Sequence, residues 1–423
     1  MTTDLESPLE WVKNPNARSL ERSPAVSAIL PPGIAQAARG FHRQIPGYRT
    51  TPLKGLGNLA AMLGLGGIWV KDESVRLNIS SFKVLGGSFA IYRQARRTLG
   101  LSDDRKISFS ELTSPEMREH LGNLTFATAT DGNHGRGVAW AAKALGLKAF
   151  IYVHSGTSRA RIRAIEEFGA RVTVVKGTYD DAVRQVAEDA AREGWQIISD
   201  TSWKGYEEIP SWIMQGYTTL FSEAQEQLAG QGLIRPTHLF MQAGVGALAA
   251  TGIGYYHMLF GKEAPISVVV EPLHANCLLR SARAADGEPH NMAGALDTIM
   301  AGLACGEPSP IAWKILWDCA DVFMACPDYV AAKGMRVYGI PLAGDPPVIS
   351  GESGAVTLGA LMFIMESPHG AVLREQLGLG PDSQVLLVNS EGNTDPEYFR
   401  RVAWEGVNPV PPEFLYEPPA GRS

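Results

Sequence analysis

From Leu124 to Asp200 the chain alternates short apolar runs with stretches whose apolar residues recur at helical spacing. "NLTFATA" is short and built of small and β-branched residues, as a buried strand requires. In "GRGVAWAAKALG", Val138, Ala141, Ala142 and Leu145 share one helical face and Gly146 supplies a stop. "KAFIYV" reads as a second strand, and "SRARIRAIEEFG" as a helix carrying Ile162, Ile165 and Phe168 and ending at Gly169. "ARVTVV", "DDAVRQVAEDAAREG" and "WQIIS" continue as strand, helix and strand. This alternation predicts a parallel sheet with right-handed crossovers, in which loops at the C-terminal ends of strands carry the chemistry.

A second α/β block follows from Trp212, with "WIMQGYTTLFSEAQEQL" as a helix, "THLFMQ" as a strand, a glycine loop opening the helix in "AGVGALAATGIGYYHML", and the strand "ISVVVEP". Further on come a helix after "SGESGAV" and the strand "QVLLVNSEGN". Before the first block, the strand "GIWVKDES" precedes a loop and helix in "SSFKVLGGSFAIYRQA". The run from Thr237 to Gly261 is long and apolar, but Gln242, His257 and several glycines interrupt it, which favours a buried strand, loop and helix over a membrane span. The proline-rich end, "NPVPPEFLYEPPAGRS", reads as an extended arm or mobile tail.

A length of 423 residues exceeds one ordinary core and predicts two domains. With 38 basic and 44 acidic residues the net charge is −6, and no basic block is present to follow a phosphate backbone, so nucleic acid is not an expected partner. The first residues, "MTTDLESPLEWVKNP", are acidic and lack a signal-peptide core, so the cytoplasm is the expected location. Cys277, Cys305, Cys319 and Cys326 lack the paired spacing of a zinc site and read as buried thiols, with a Cys277 to Cys305 bridge left open. No metal-ligating constellation is visible.

Chemistry concentrates at strand ends. Lys83, in "NISSFKVLGG", has apolar and glycine-rich flanks, which suit a desolvated amine rather than a surface lysine. Gly244 and Gly246, in "QAGVGALAA", sit between a strand and a helix, where backbone N–H groups and the helix dipole can hold an anion; a tight turn alone would read the same way. Asp131 and Asp200 each directly follow a strand, so both carboxylates are expected at one sheet edge. Asp131 also reads as a helix cap on local grounds.

Taken in order, "SSFKVLGG", "TDGNHGRG", "QAGVG" and "NSEGN" resemble the pyridoxal-phosphate enzymes of the tryptophan synthase β-subunit type, known as fold type II. "SFKVLGGSFAIYR", "ATDGNHGRGVAWAAKALG", "DTSWKGYEEIPSWIMQGYTTL", "TIMAGLACGEPS" and "SGESGAV" resemble, within that type, the diaminopropionate ammonia-lyase family over about residues 40 to 400. The resemblance implies an α/β fold of two doubly wound open-sheet domains, the smaller inserted in the larger. The large cofactor-binding domain would comprise residues 1–88 and 217–423, and the small domain residues 89–216.

It implies pyridoxal 5'-phosphate as cofactor, a small amino acid as substrate, and a homodimer without membrane association. Lys83 would hold the cofactor covalently and serve as a base; Asn133 would bond its phenolic oxygen; Gly244, Val245, Gly246 and Ala247 would cup its phosphate; Ser390 would face its ring nitrogen. The loop departs from the four-glycine phosphate loop of many dehydratases. The implied reaction is α,β-elimination of 2,3-diaminopropionate to pyruvate and ammonia, with serine or threonine dehydration and β-replacement as the alternatives within the fold. Asp131 would then be a base for the D substrate, with Lys83 serving the L form, and Asp200 would meet the β-ammonium. His134 is expected in a supporting place, Arg136 as an electrostatic neighbour of Asp131, and Trp212 and Tyr217 in the core.

Overall fold

The computed structural model describes residues 8–102, 105, 107–130 and 132–415. Their strands form two sheets. The larger is drawn from both ends of the chain: β1 (Glu10–Lys13), β2 (Leu53–Gly55), β3 (Gly67–Asp72), β8 (His238–Gln242), β9 (Ile266–Pro272), β10 (Val322–Cys326) and β11 (Gln384–Asn389), in the order β1-β10-β9-β8-β11-β3-β2. The smaller holds β4 (Thr125–Thr130), β5 (Lys148–His154), β6 (Arg171–Val175) and β7 (Gln196–Ile197), in the order β6-β5-β4-β7. All pairings are parallel except those of the two edge strands, β1 with β10 and β2 with β3.

The near-continuous apolar runs of the large sheet have the composition of strands buried on both faces. Leu239 and Met241, Val269, Phe323, and Leu386 and Val388 enter one core. Their alternating neighbours Phe240, Val268, Val270, Met324, Val385 and Leu387 enter the other. The first core also contains Phe126 of β4 and Ile151 and Val153 of β5, so it runs without interruption from one sheet to the other.

Seven helices matter for the site: α1 (Lys83–Thr98), α2 (Asn133–Leu145), α3 (Arg159–Glu166), α4 (Tyr179–Glu193), α5 (Glu208–Gly230), α6 (Ala247–Phe260) and α7 (Glu352–Glu366). Helices α1, α2 and α5 fill the shared core, and glycines let them approach closely. A Cβ at Gly86 would lie 2.4 Å from the Tyr217 ring, and one at Gly216 would lie 2.5 Å from the Leu85 carbonyl oxygen. Helix α4 covers the far face of the smaller sheet through Ala182 and Val186, packed against Ala127, Ala129 and Tyr152.

Several expectations change in detail. Helix α5 begins before Trp212, at Glu208, and admits Pro210 because the first N–H groups of a helix have no intrahelical acceptor. The strand read from "WQIIS" pairs over two residues only. The proline-rich end is not a free arm as far as it is described: Phe414 packs against Tyr329, Phe363 and His369 at ring distances of 6.2, 5.9 and 5.6 Å. Residues 416–423 of that segment lie outside the described residues. All four cysteines are free thiols, so Cys277 and Cys305 are not bridged. Among the described residues no single helix is long and apolar enough to cross a membrane.

Candidate active site

Strand order locates the site. In the large sheet, β9 and β10 lie to one side of β8 and β11 lies to the other, so a crevice opens outside the C-terminal ends of β8 and β11. In the small sheet, β5 and β6 lie to one side of β4 and β7 to the other, which opens a second crevice beyond β4 and β7. The two meet at Lys83, the first residue of α1. A cavity of about 340 Å³ there is lined by Lys83, Thr130, His134, Asp200, Val245 and Cys305 among others. A narrower one of about 50 Å³ adjoins it and is lined by Lys83, Asn133, Gln242, Ala247, Ser390 and Glu391 among others.

The segment before Lys83 is tied to the end of β11. Ser81 pairs with Glu391 as an antiparallel bridge, the Phe82 N–H donates to the Ser390 carbonyl at 3.1 Å, and the Gly392 N–H donates to the Ser80 carbonyl at 2.9 Å. The approach to this bridge is strained, since Leu77, Asn78 and Ser80 have φ of 48°, 58° and 59°. Ser390 thereby stands beside Lys83, across 307 residues of chain.

The Lys83 ammonium donates to Asp200 Oδ2. Asp200 is buried three residues beyond the end of β7 rather than directly after it, with His134 Nδ1 3.9 Å from the same oxygen. Burial pushes the Asp200 carboxyl up, but the charges of His134 and Lys83 and the hydrogen bond from Lys83 outweigh it and hold the carboxyl down at about 2. Asp200 is therefore an anion at neutral pH. His134 is also buried, and its Nε2 donates to the Ile198 carbonyl at 2.7 Å, which turns Nδ1 toward Asp200. This is the supporting place expected for His134.

On the other side, Gly246 has φ +99° and leads into α6. The φ of Gly246 favours glycine, and a Cβ there would also crowd Leu316 at 3.1 Å; a Cβ at Gly244 would lie 3.0 Å from Cys305 Sγ and 3.2 Å from the Leu303 Cα, so the loop runs close against that backbone. The first N–H groups of α6 point out of the helix into this loop, a cradle for an anion. The Asn133 amide, at the start of α2, donates to Glu391 Oε2. The Ser390 side chain borders the narrow cavity.

Lys83, Asn133, Asp200, Val245, Ala247 and Ser390 thus come to one place from five stretches of sequence, with Gly244 and Gly246 shaping the loop beside them. Asp131 lies outside the described residues. Arg136 Nη1 donates to the Ile79 carbonyl at 2.8 Å. Trp212 and Tyr217 are in the core, the Tyr217 ring packing on Phe82 at 4.7 Å and closing the floor of the narrow cavity. Sequence reasoning missed His154, Thr178 and Tyr179, which line the larger cavity from the ends of β5 and β6. The rule that strand C-terminal ends carry chemistry already pointed to those loops. It also missed Glu391, although that residue stands inside the quoted "NSEGN".

Residues 45–391 match the family model described as "Pyridoxal-phosphate dependent enzyme". The diaminopropionate ammonia-lyase of Salmonella typhimurium is 46% identical over 383 residues, which cover 90% of this chain and 95% of the relative. The crystal structure of holo diaminopropionate ammonia lyase from Escherichia coli superimposes with a TM-score of 0.89 at 44% identity, covering 96% of this chain and 100% of that one. A second structure of the Escherichia coli enzyme, in complex with an aminoacrylate-PLP azomethine reaction intermediate, matches with a TM-score of 0.86 at 44% identity over 95% and 98% of the two chains.

Proposed function

Because the chain belongs to the pyridoxal-phosphate dependent enzymes, and within them to the diaminopropionate ammonia-lyases, we propose that it converts 2,3-diaminopropionate to pyruvate and two molecules of ammonia. The donor set fits the cofactor. Lys83 offers an amine at the cavity wall, Asn133 an amide N–H for the phenolic oxygen, and Ser390 a hydroxyl for the ring nitrogen. The loop Gly244, Val245, Gly246 and Ala247 offers backbone N–H groups and the positive end of α6 for the phosphate. Bound pyridoxal phosphate would supply an electron sink that acidifies the substrate Cα–H.

The chain's own residues do the rest. Lys83 takes the Cα proton on its own face. Asp131 takes it from the opposite face, so that L and D substrates are both processed. Asp200 is an anion 117 residues from Lys83 in sequence, and its carboxylate suits a leaving group that departs as ammonia from an ammonium. When the Cβ–N bond breaks its electron pair leaves with the nitrogen, so the ammonium departs as neutral ammonia without taking a further proton; the Asp200 carboxylate would bind that ammonium beforehand, and the Cα proton stays on the base that took it. Hydrolysis of the remaining imine releases pyruvate and the second ammonia.

The observation that carries this reading is the pairing of half-buried Lys83 with buried Asp200 at the meeting of the two strand-end crevices. A dehydratase expelling a hydroxyl has no need of a carboxylate beside its lysine. The test is incubation of the purified chain with L- and D-diaminopropionate, serine, threonine, and O-acetylserine plus sulfide, with ammonia, pyruvate and cysteine measured. Two ammonia per pyruvate from diaminopropionate at the highest kcat/KM is expected; a higher kcat/KM for serine or threonine, or cysteine as the main product, would overturn it. The free thiols fit a reducing compartment, and we place the protein in the cytoplasm as a homodimer, the latter checked by light scattering. The small domain is assigned to residues 89–216 and the large domain to residues 1–88 and 217–423.

A further inference from the structure

Directly behind Asn133 lies a cluster of buried ionisable groups to which the proposed reaction assigns no role. Glu391 follows β11 and is 2% exposed; Glu352 opens α7 and is 3% exposed; Arg161, from α3, is 9% exposed. The two carboxylates belong to the large sheet's side, and their partners come from the small sheet's side. Glu391 Oε2 accepts from the Asn133 amide, while its Oε1 accepts the Ser353 N–H at 3.3 Å and so anchors to the first turn of α7. Arg161 Nη2 reaches Glu352 Oε2 at 3.6 Å.

Arg161 also touches the turn that carries Asn133. Gly132 has φ +140°, and a Cβ there would lie 3.1 to 3.4 Å from three carbons of the Arg161 stem. The stem lies over the turn while its head is drawn across to Glu352. An Asn amide has two N–H groups. With one held by Glu391, the orientation of the other is fixed, and Asn133 and Glu391 line the same narrow cavity.

We propose that Glu391 and Arg161 are positioning residues for the cofactor: Glu391 sets the direction of the Asn133 amide, and Arg161, held by Glu352, clasps the Gly132–Asn133 turn against the large sheet. The clasp rests on the cofactor reading given above. Burial, then the charge of Glu391, pushes the Glu352 carboxyl up to about 7, with Arg161 opposing and Asp395 adding to the rise.

The test titrates the full chain, stripped of cofactor, with pyridoxal phosphate and follows tryptophan fluorescence and the visible absorbance of the bound form. E391A and N133A are each expected to weaken binding by about ten- to a hundredfold, the range of a hydrogen bond to a charged group. Both should also move the pH midpoint of the visible band upward by the same amount. The double variant should bind within about threefold of N133A, because the two residues act through one bond. E391Q keeps the acceptor and should stay within about threefold of wild type. R161M keeps the stem over Gly132 and loses the charge, with an expected weakening of about three- to tenfold.

Additive losses in the double variant, an unmoved midpoint in E391A, or an E391Q loss as large as that of N133A would overturn the role of Glu391. Wild-type binding by R161M would overturn that of Arg161. If wild type itself takes up no pyridoxal phosphate, the functional reading falls with the clasp. Normal uptake by wild type with equal uptake by E391A overturns the clasp alone.

Discussion

A lysine beside a buried carboxylate exists to be used or to be neutralised, and substitution separates the two for Lys83 and Asp200. Lys83→Ala removes the amine; the borohydride-reduced intact chain should then have the mass of the unmodified polypeptide, whereas wild type should carry the cofactor. If the variant still gains the cofactor's mass, another lysine holds it. Asp131→Asn addresses the second base: pyruvate release from D-diaminopropionate should fall by about 10²- to 10⁴-fold, the usual contribution of a general base, while the L rate falls by less than about tenfold. Equal losses for the two enantiomers would return Asp131 to the status of a helix cap. At this scale Lys83 and Asp200 stood out in the sequence because a reactive side chain stands where one element gives way to the next, whereas Asn133 was marked by the family resemblance. Glu391 did not stand out, since its meaning comes from an amide 258 positions away.

The elements hold these residues through close approach more than through hydrogen bonds. Helix α1 carries Lys83 on its first turn and lies against α5 where Gly216 meets Gly86, with a Cβ at Gly216 placed 2.9 Å from the Gly86 Cα. Neither neighbour is a flexible side-chain tip, so Gly216→Ala must push α1 away from α5. Overpacking of this kind costs about 1–3 kcal/mol. A lowered melting temperature is expected together with weaker cofactor binding, because the displaced element begins at Lys83; a lowered melting temperature with unchanged cofactor affinity would show that α1 accommodates the methyl group without moving its first turn. The alternation of β4, α2, β5, α3, β6, α4 and β7 was readable residue by residue, since both periodicities are strong there. The edge strand β1 and the strand β10 were not read. β1 has only four residues and no apolar alternation of its own, and it is defined by its pairing with β10. The seating of Phe414 was equally invisible, because nothing in "NPVPPEFLYEPP" says that Tyr329 and Phe363 wait for it.

Across the whole molecule, the stretch leading to Lys83 is bound to α5 by an ion cluster with no solvent contact. Arg76 Nη2 lies 2.8 Å from Glu73 Oε1 and 2.7 Å from Glu223 Oε2, and Lys71 Nζ lies 2.7 Å from Glu223 Oε2, all four side chains being fully buried. Two cations face two anions, and Tyr48 adds a hydrogen bond to Glu223. Burial pushes the Glu223 carboxyl up, but the charge and hydrogen bonds of Arg76, followed by those of Lys71, outweigh it and hold the carboxyl down at about 2, against an ordinary value of 4.5. A carboxyl lowered by folding stabilises the native state fully above its unfolded value, and that stability is lost as pH falls toward its folded value. Urea melts should therefore show a stability that declines from about pH 4.5 toward about pH 2, Asp200 contributing in the same direction. Glu223→Gln should flatten that decline. It should also destabilise the protein at pH 7 by about 3–5 kcal/mol, because Arg76 and Lys71 would remain buried with one anion between them. The same variant should loosen residues 73–82 and with them Lys83, so cofactor affinity is expected to fall alongside stability. If the melts of Glu223→Gln and wild type run parallel down to pH 2, the cluster does not hold Glu223 ionised, and the acid sensitivity of the molecule lies elsewhere.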